Sequence, residues 1–156
     1  MTAKTDGLDH INVYSKGKTQ LGRLLSNFSY SPINIEDGYF ASIESYWYWL
    51  LCSHPEKDRL RKSWGFDSKK LGRELGAKDW PSPYELSSFQ DKIKRAIKSK
   101  IHSSKTLESE LTRSVLPIEH YYVYGNKIVN VKEAKWIIDY IDSERAELKS
   151  LTTLSR

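Results

Sequence analysis

Apolar and polar residues alternate in Ile11-Asn12-Val13-Tyr14, the period of a half-buried strand. Lys16-Gly17-Lys18 reads as a turn. From Leu21 to Phe28 an apolar pair, Leu24-Leu25, runs into Ser26-Asn27, whose side chains can fold back on the backbone as a second turn. Ile33-Asn34-Ile35-Glu36 and Tyr39-Phe40-Ala41 then flank Asp37-Gly38, which predicts a β-hairpin. At Ser42 the period changes to that of a helix. Ser42 is a good N-cap, because its hydroxyl can accept from the free N–H groups of the first turn. Ile43, Trp47, Leu50 and Leu51 fall on one face of a helix reaching about Ser53, and Glu44 and Tyr48 lie four apart on the adjacent face.

Past His54 the pattern is helical and strongly charged. Pro55 suits a first helical position and predicts a short helix to Lys62, ended by Gly65. Asp67 or Ser68 caps a second, Lys69 to Leu75, closed by Gly76. Asp79-Trp80-Pro81-Ser82-Pro83 must be a loop. A longer helix, about Pro83 to Ile101, carries the stripe Leu86, Phe89, Ile93, Ala96, Ile97 and Ile101, with Lys92, Lys94, Arg95, Lys98 and Lys100 crowding its other faces. A helix from Lys105 to Arg113 is capped by Ser104 or Ser103. Ile118 to Tyr124 and Lys127 to Val131 flank the hairpin signal Gly125-Asn126. A last helix, about Lys132 to Leu151, buries Ala134, Ile137, Ile138, Ile141 and Leu148. Strands at both ends with helices between predict an α+β fold, mainly helical with a small sheet and hairpins. Residues 1–9 are polar and expected to be a flexible N-terminus, and residues 10–156 a single domain.

Composition narrows the function classes. One cysteine, Cys52, permits no disulfide within the chain and fits a reducing compartment. No apolar run approaches a membrane span and no signal peptide opens the chain, so the expectation is a soluble cytoplasmic protein without membrane partners. The net charge of +5 is compatible with a phosphate-bearing ligand or with nucleic acid. Five Trp and ten Tyr supply flat surfaces, for a core or for stacking on bases. The four histidines show no metal spacing with Cys52, and no P-loop or G-x-G-x-x-G is present, so neither a metal centre nor a Rossmann-type cofactor is expected. Glu119 and His120 could form an acid–base pair, but strand alternation puts them on opposite faces.

The residues Asn12-Val13-Tyr14-Ser15, Leu25-Ser26-Asn27-Phe28, Pro32-Ile33, Asp37-Gly38 and Ser42-Ile43-Glu44-Ser45-Tyr46 follow an order that resembles the N-terminal half of the NADAR (YbiA-like) family. The likeness continues in Lys69-Lys70-Leu71-Gly72-Arg73, in Asp79-Trp80, in the helix Ile93 to Ile101 and in Ile118-Glu119-His120. It fails afterwards: where the family carries an acidic Trp-Gly motif and a glycine-rich segment, this chain reads Tyr121-Tyr122-Val123-Tyr124-Gly125-Asn126-Lys127, with no acid. Tyr124-Gly125 stands where the family has Trp-Gly, and Asn126 or Asn130 where it has Asn. The resemblance implies a divergent, phage-type member placed in the host cytoplasm if phage-encoded. It also implies N-glycosidic hydrolysis of an ADP-ribosyl or related nucleotide conjugate, for example ADP-ribosylated guanine in DNA, without a cofactor.

Such a reaction needs a carboxylate beside an oxocarbenium-like centre, cationic or N–H donors for phosphate, and an aromatic platform for the base. Glu44 is the expected catalytic acid. Its structural alternative is a first-turn carboxylate that favours the helix dipole, worth about 0.3–1 kcal/mol. Arg73 is the expected phosphate anchor, with Lys70 and Lys94 behind it; the alternative is a solvated basic face. Trp47, Trp80 and Tyr124 are candidate stacking residues, although Trp47 sits on the core face. Ser26, Asn27, Phe28 and Asn126 complete the expected binding set, with local turn capping as the other role of Ser26 and Asn27. Two further readings remain: a binding module that holds ADP-ribose or a nucleotide without turnover, and a nucleic-acid-binding protein using the basic 92–100 helix.

Overall fold

The computed structural model describes residues 2–154, and its elements fall into two groups, each with its own buried side chains: Met1–Ser26 with Ser104–Arg156, and Asn27–Ser103. The architecture is α+β, with two-stranded sheets between helices.

In the first group, β1 (Ile11–Asn12) pairs in parallel with β4 (Ile118–Glu119). Asn12 fixes the chain beyond β4: its Nδ2 donates to the Tyr121 carbonyl and its Oδ1 accepts from the Tyr121 N–H, each at 3.0 Å. The buried carboxylate of Asp6 accepts from the N–H groups of Asn12 and Lys18 at 3.0 and 2.9 Å, which ties residues 6–18 together. The stretch 118–124 is therefore not one strand. The pairing changes at His120, so that Ile118–Glu119 serves β1 while β5 (Tyr121–Tyr124) forms a hairpin with β6 (Lys127–Asn130) across Gly125-Asn126. Gly125 takes φ +63° there, as the turn signal required. The Leu21–Phe28 stretch also differs from expectation. Gln20–Leu25 is a short helix, α1, capped by Thr19, whose hydroxyl accepts from Gly22 N–H at 2.9 Å. Leu107 and Leu111 of α5 (Lys105–Arg113) and Ile141 and Leu148 of α6 (Lys135–Leu154) are buried in this group.

In the second group, β2 (Ile33–Ile35) and β3 (Gly38–Phe40) form the expected hairpin. Its two-residue turn is Glu36-Asp37, and Gly38, at φ +107°, opens the return strand. α2 (Ile43–Leu50) starts at the Ser42 cap, whose Oγ accepts from Ser45 N–H at 3.0 Å and donates to the Ser63 carbonyl at 3.1 Å. Such a cap is worth about 1 kcal/mol. Lys57–Lys62 is a 3-10 helix. α3 runs Gly65–Glu74, so Gly65 begins a helix that was expected to start near Lys69, and Asp67 and Ser68 lie inside it. α4 is Leu86–Ser103, beginning after the Pro81–Pro83 loop. Phe40, Ile43, Leu60, Ile93 and Ile101 are fully shielded from solvent and form the centre of this group. Lys100 departs from the expected basic face of α4: it is buried, and its Nζ donates to Ser29 Oγ at 2.9 Å. Burial pushes its ammonium down to about 7.

Candidate functional site

Glu44 sits in the first turn of α2, and its N–H donates to the Asn27 carbonyl at 3.0 Å. A helix whose first N–H groups are taken by Ser42 and Asn27 is anchored where the carboxyl is presented. Glu44 is half-buried, and burial pushes its carboxyl up to about 7, against the Lys69 ammonium, which acts in the opposite direction. Burial is the stronger of the two, so this acid can gain or lose a proton near neutral pH.

One turn further along α2, Tyr48 presents its hydroxyl 3.5 Å from Asp79 Oδ1. Its phenol is held well above its usual range, first by burial and then by the charges of Glu44 and Asp79, with Arg73 opposing. Arg73 Nε lies 3.8 Å from the same Asp79 oxygen. The Asp79 carbonyl in turn accepts from Trp47 Nε1 at 3.1 Å. Trp80 packs edge-on against Trp47 at 5.5 Å between ring centroids and stays 43% exposed. α3 reaches this close to α2 because residue 72 is glycine: a Cβ there would stand 2.7 Å from the Tyr48 ring.

Of the expected site residues, Glu44, Asn27, Phe28, Trp47, Arg73 and Trp80 belong to one group of elements. Asn27 serves through its carbonyl. Trp47 is buried, with its edge contacts made to Trp80 and Phe89, so it positions the 79–80 loop. Trp80 is the exposed ring. Ser26 is buried as the residue closing α1, Tyr124 ends β5 with its ring exposed, and Asn126 is exposed at the β5–β6 turn; these three belong to the other group. Lys70 and Lys94 point to the solvated side of their helices, exposed and half-buried respectively. Tyr48, Lys69 and Asp79 join the site although their sequence signals were weak. Tyr48 had its four-residue spacing from Glu44, Asp79 its place beside Trp80, and Lys69 only its neighbourhood of Arg73.

Two hollows lie in the other group. One, of about 400 Å³, is lined by His120, Lys132, Lys135, Asp139, Asp142 and Arg145 among others. Two of its cations are paired, Lys135 with Asp139 at 3.1 Å and Arg145 with Asp142 at 3.2 Å. His120 Nδ1–H donates to the Val13 carbonyl at 2.7 Å, and burial holds its imidazole below the usual value. The second, about 300 Å³, is lined by Asp6, Asn12, Tyr14 and Tyr121, with Asp6 and Asn12 engaged as described. Among the described residues no group of three or more His, Cys, Asp or Glu side chains could hold a metal ion, and no helix is long and apolar enough to cross a membrane.

These features define an α+β protein with a carboxyl raised by burial in the first turn of a helix, near a lysine of the neighbouring helix. No family model and no curated protein matches the chain. Among solved structures the chain is similar to the NMR structure of the E. coli protein YbiA, with a TM-score of 0.62 and 16% identity over 99% of this chain and 95% of that one. At that identity the likeness establishes a YbiA-like fold.

Proposed function

We propose that the protein is a hydrolase of N-glycosidic bonds in an ADP-ribosyl or related ribose-phosphate nucleotide conjugate, ADP-ribosylated guanine in DNA being one such substrate. The observation that carries this reading is the Glu44 carboxyl, raised to about 7 beside Lys69. The resemblance of the 11–46 segment to the NADAR family and the YbiA-like fold support it.

In its ionised form Glu44 stabilises the cation that develops on the ribose as the carbon–nitrogen bond breaks, and it orients the attacking water. The water oxygen bonds to the anomeric carbon, the glycosidic electron pair leaves with the base nitrogen, and the water's proton passes through Glu44 to the released base. A carboxyl near neutrality is suited to both taking and giving that proton. Arg73 and Lys69 supply charge for the phosphates, and Trp80 supplies an exposed ring for the base.

The test is turnover by wild type and Glu44→Gln, offered guanine-ADP-ribosylated DNA, NAD and ADP-ribose conjugates, with products read by mass spectrometry. Free base from wild type and none from the variant is expected; equal turnover by both excludes Glu44 as the catalytic acid. A second reading has its own observation. Tyr121–Lys127 carries no acid where the family motif has one. A protein that binds ADP-ribose tightly and forms no product from any of these substrates is a binding module, with that segment as the reason.

A further inference from the structure

Several exposed aromatic residues of the second group lie close together in the structure or the sequence. Tyr30, Trp64 and Phe66 are 58%, 51% and 63% exposed. Tyr30 meets Trp64 edge-to-face at 5.0 Å and 65°, and Tyr39, 37% exposed, interacts with Tyr30 through their hydroxyls. Large rings left in water forgo part of their burial, so a group of them marks a surface that something covers. The segment carrying two of these rings is also basic. From Lys62 to Arg73 it holds Lys62, Lys69, Lys70 and Arg73 against the single acid Asp67. Lys62, Lys70 and Arg73 are exposed.

The patch adjoins the Glu44 helix. The Ser63 carbonyl, immediately before Trp64, accepts the Ser42 hydroxyl that caps α2, and a Cβ on Gly65 would stand 3.8 Å from the Phe28 carbonyl, next to Asn27. Lys69, one turn into α3 from Gly65 and Phe66, is the cation acting on Glu44. Flat rings with open faces, interleaved with cations that face solvent, fit a polyanion with unpaired bases.

We infer that Tyr30, Trp64 and Phe66, with Lys62 and Lys70, form a stacking surface for single-stranded nucleic acid running beside Glu44. Successive bases lie on the rings, and the phosphates track the lysines. This deepens the proposed function, on which it rests only for what the bound strand carries: the strand would be the polymer to which the ADP-ribosyl group is attached.

The probe is a fluorescein-labelled oligothymidylate of about 12 nucleotides, a length within the span such surfaces cover. Anisotropy is measured with the full chain at several salt concentrations. Trp64→Ala and Phe66→Ala are expected to weaken binding about tenfold each, and Trp64→Tyr to restore most of it. The double substitution Lys62→Gln/Lys70→Gln should flatten the slope of log affinity against log salt by about 1.4. These side chains are solvent-facing, and melting curves of the variants check that the fold is kept. No binding at low salt, or binding unchanged in both alanine variants, overturns the inference. So does a wild type that dimerises through the patch, losing its doubled mass in Trp64→Ala while ignoring the oligonucleotide. Turnover of a small ADP-ribosyl conjugate does not need the strand, so a failed strand surface and a failed glycosidase are separate results.

Discussion

Glu44 stores a cost in the folded state. An ordinary glutamate loses its proton near 4.5, and this one holds it to about 7 because burial penalises the charge. The folded value lies above the unfolded one. The stabilising contribution of the protonated form is therefore complete below about pH 4.5 and is lost as pH rises through about 7. Glu44→Gln, which keeps the shape and never ionises, should melt at the wild-type temperature at pH 4.5 and above it at pH 8. Equal melting at both pH values would mean that the carboxyl is solvated in the folded state. A variant that is more stable and inactive is the pattern expected when a site is strained for function. The sequence placed Glu44 in a first turn through Ser42 and the hydrophobic stripe. It could not show the burial, which depends on α3 and the 79–80 loop, elements far along the chain. Trp47, by contrast, was legible as a core residue from its face of α2, and it is buried.

Between elements, the contact that makes the site is α3 on α2. Gly72→Ala replaces a helix-interior glycine, a change that by itself favours a helix by about 1 kcal/mol. Here the new methyl would meet Cγ, Cδ1 and Cβ of Tyr48 at 2.7, 2.8 and 2.9 Å, atoms close to the backbone with little room to move. Overpacking of that kind costs about 1–3 kcal/mol and wins. The variant is expected to melt below wild type and to lose activity as Arg73 and Asp79 are displaced; an unchanged or higher melting temperature would show that the helices part without cost. Elements defined by their own residues were readable in advance. The hairpins had Asp37-Gly38 and Gly125-Asn126, and α5 had Ser104, whose hydroxyl accepts from Leu107 N–H at 3.2 Å. The failures occurred where distant partners decide. Gly65 looked like a helix stop, yet α3 begins there. Ile118–Tyr124 looked like one strand, yet Ile11–Asn12 and Lys127–Asn130 divide it.

For the whole molecule, the α+β class followed from strands toward both ends with helices between; the structure keeps that class, with α1 between β1 and β2 and α6 after the last strand. The YbiA-like fold at 16% identity shows how much of a fold can persist while most side chains differ. Function follows only from the groups at a site. Among these groups Lys69 is the most informative. Its charge opposes the effect of burial on Glu44, so Lys69→Gln should raise the Glu44 value further and carry the midpoint of any pH–rate profile upward. A midpoint that stays in place would remove Lys69 from the account.

Carbon-13 NMR reads directly, without knowledge of the substrate, whether the surroundings of Glu44 hold its carboxyl near neutrality. With glutamate side chains labelled at the carboxyl carbon, wild type and Glu44→Gln are titrated from pH 4 to 9. The resonance missing from the variant identifies Glu44. This resonance is expected to titrate with a midpoint at about 7. A midpoint near 4.5, the ordinary value of a solvated glutamate, would leave Glu44 a first-turn helix residue and remove it as the catalytic acid.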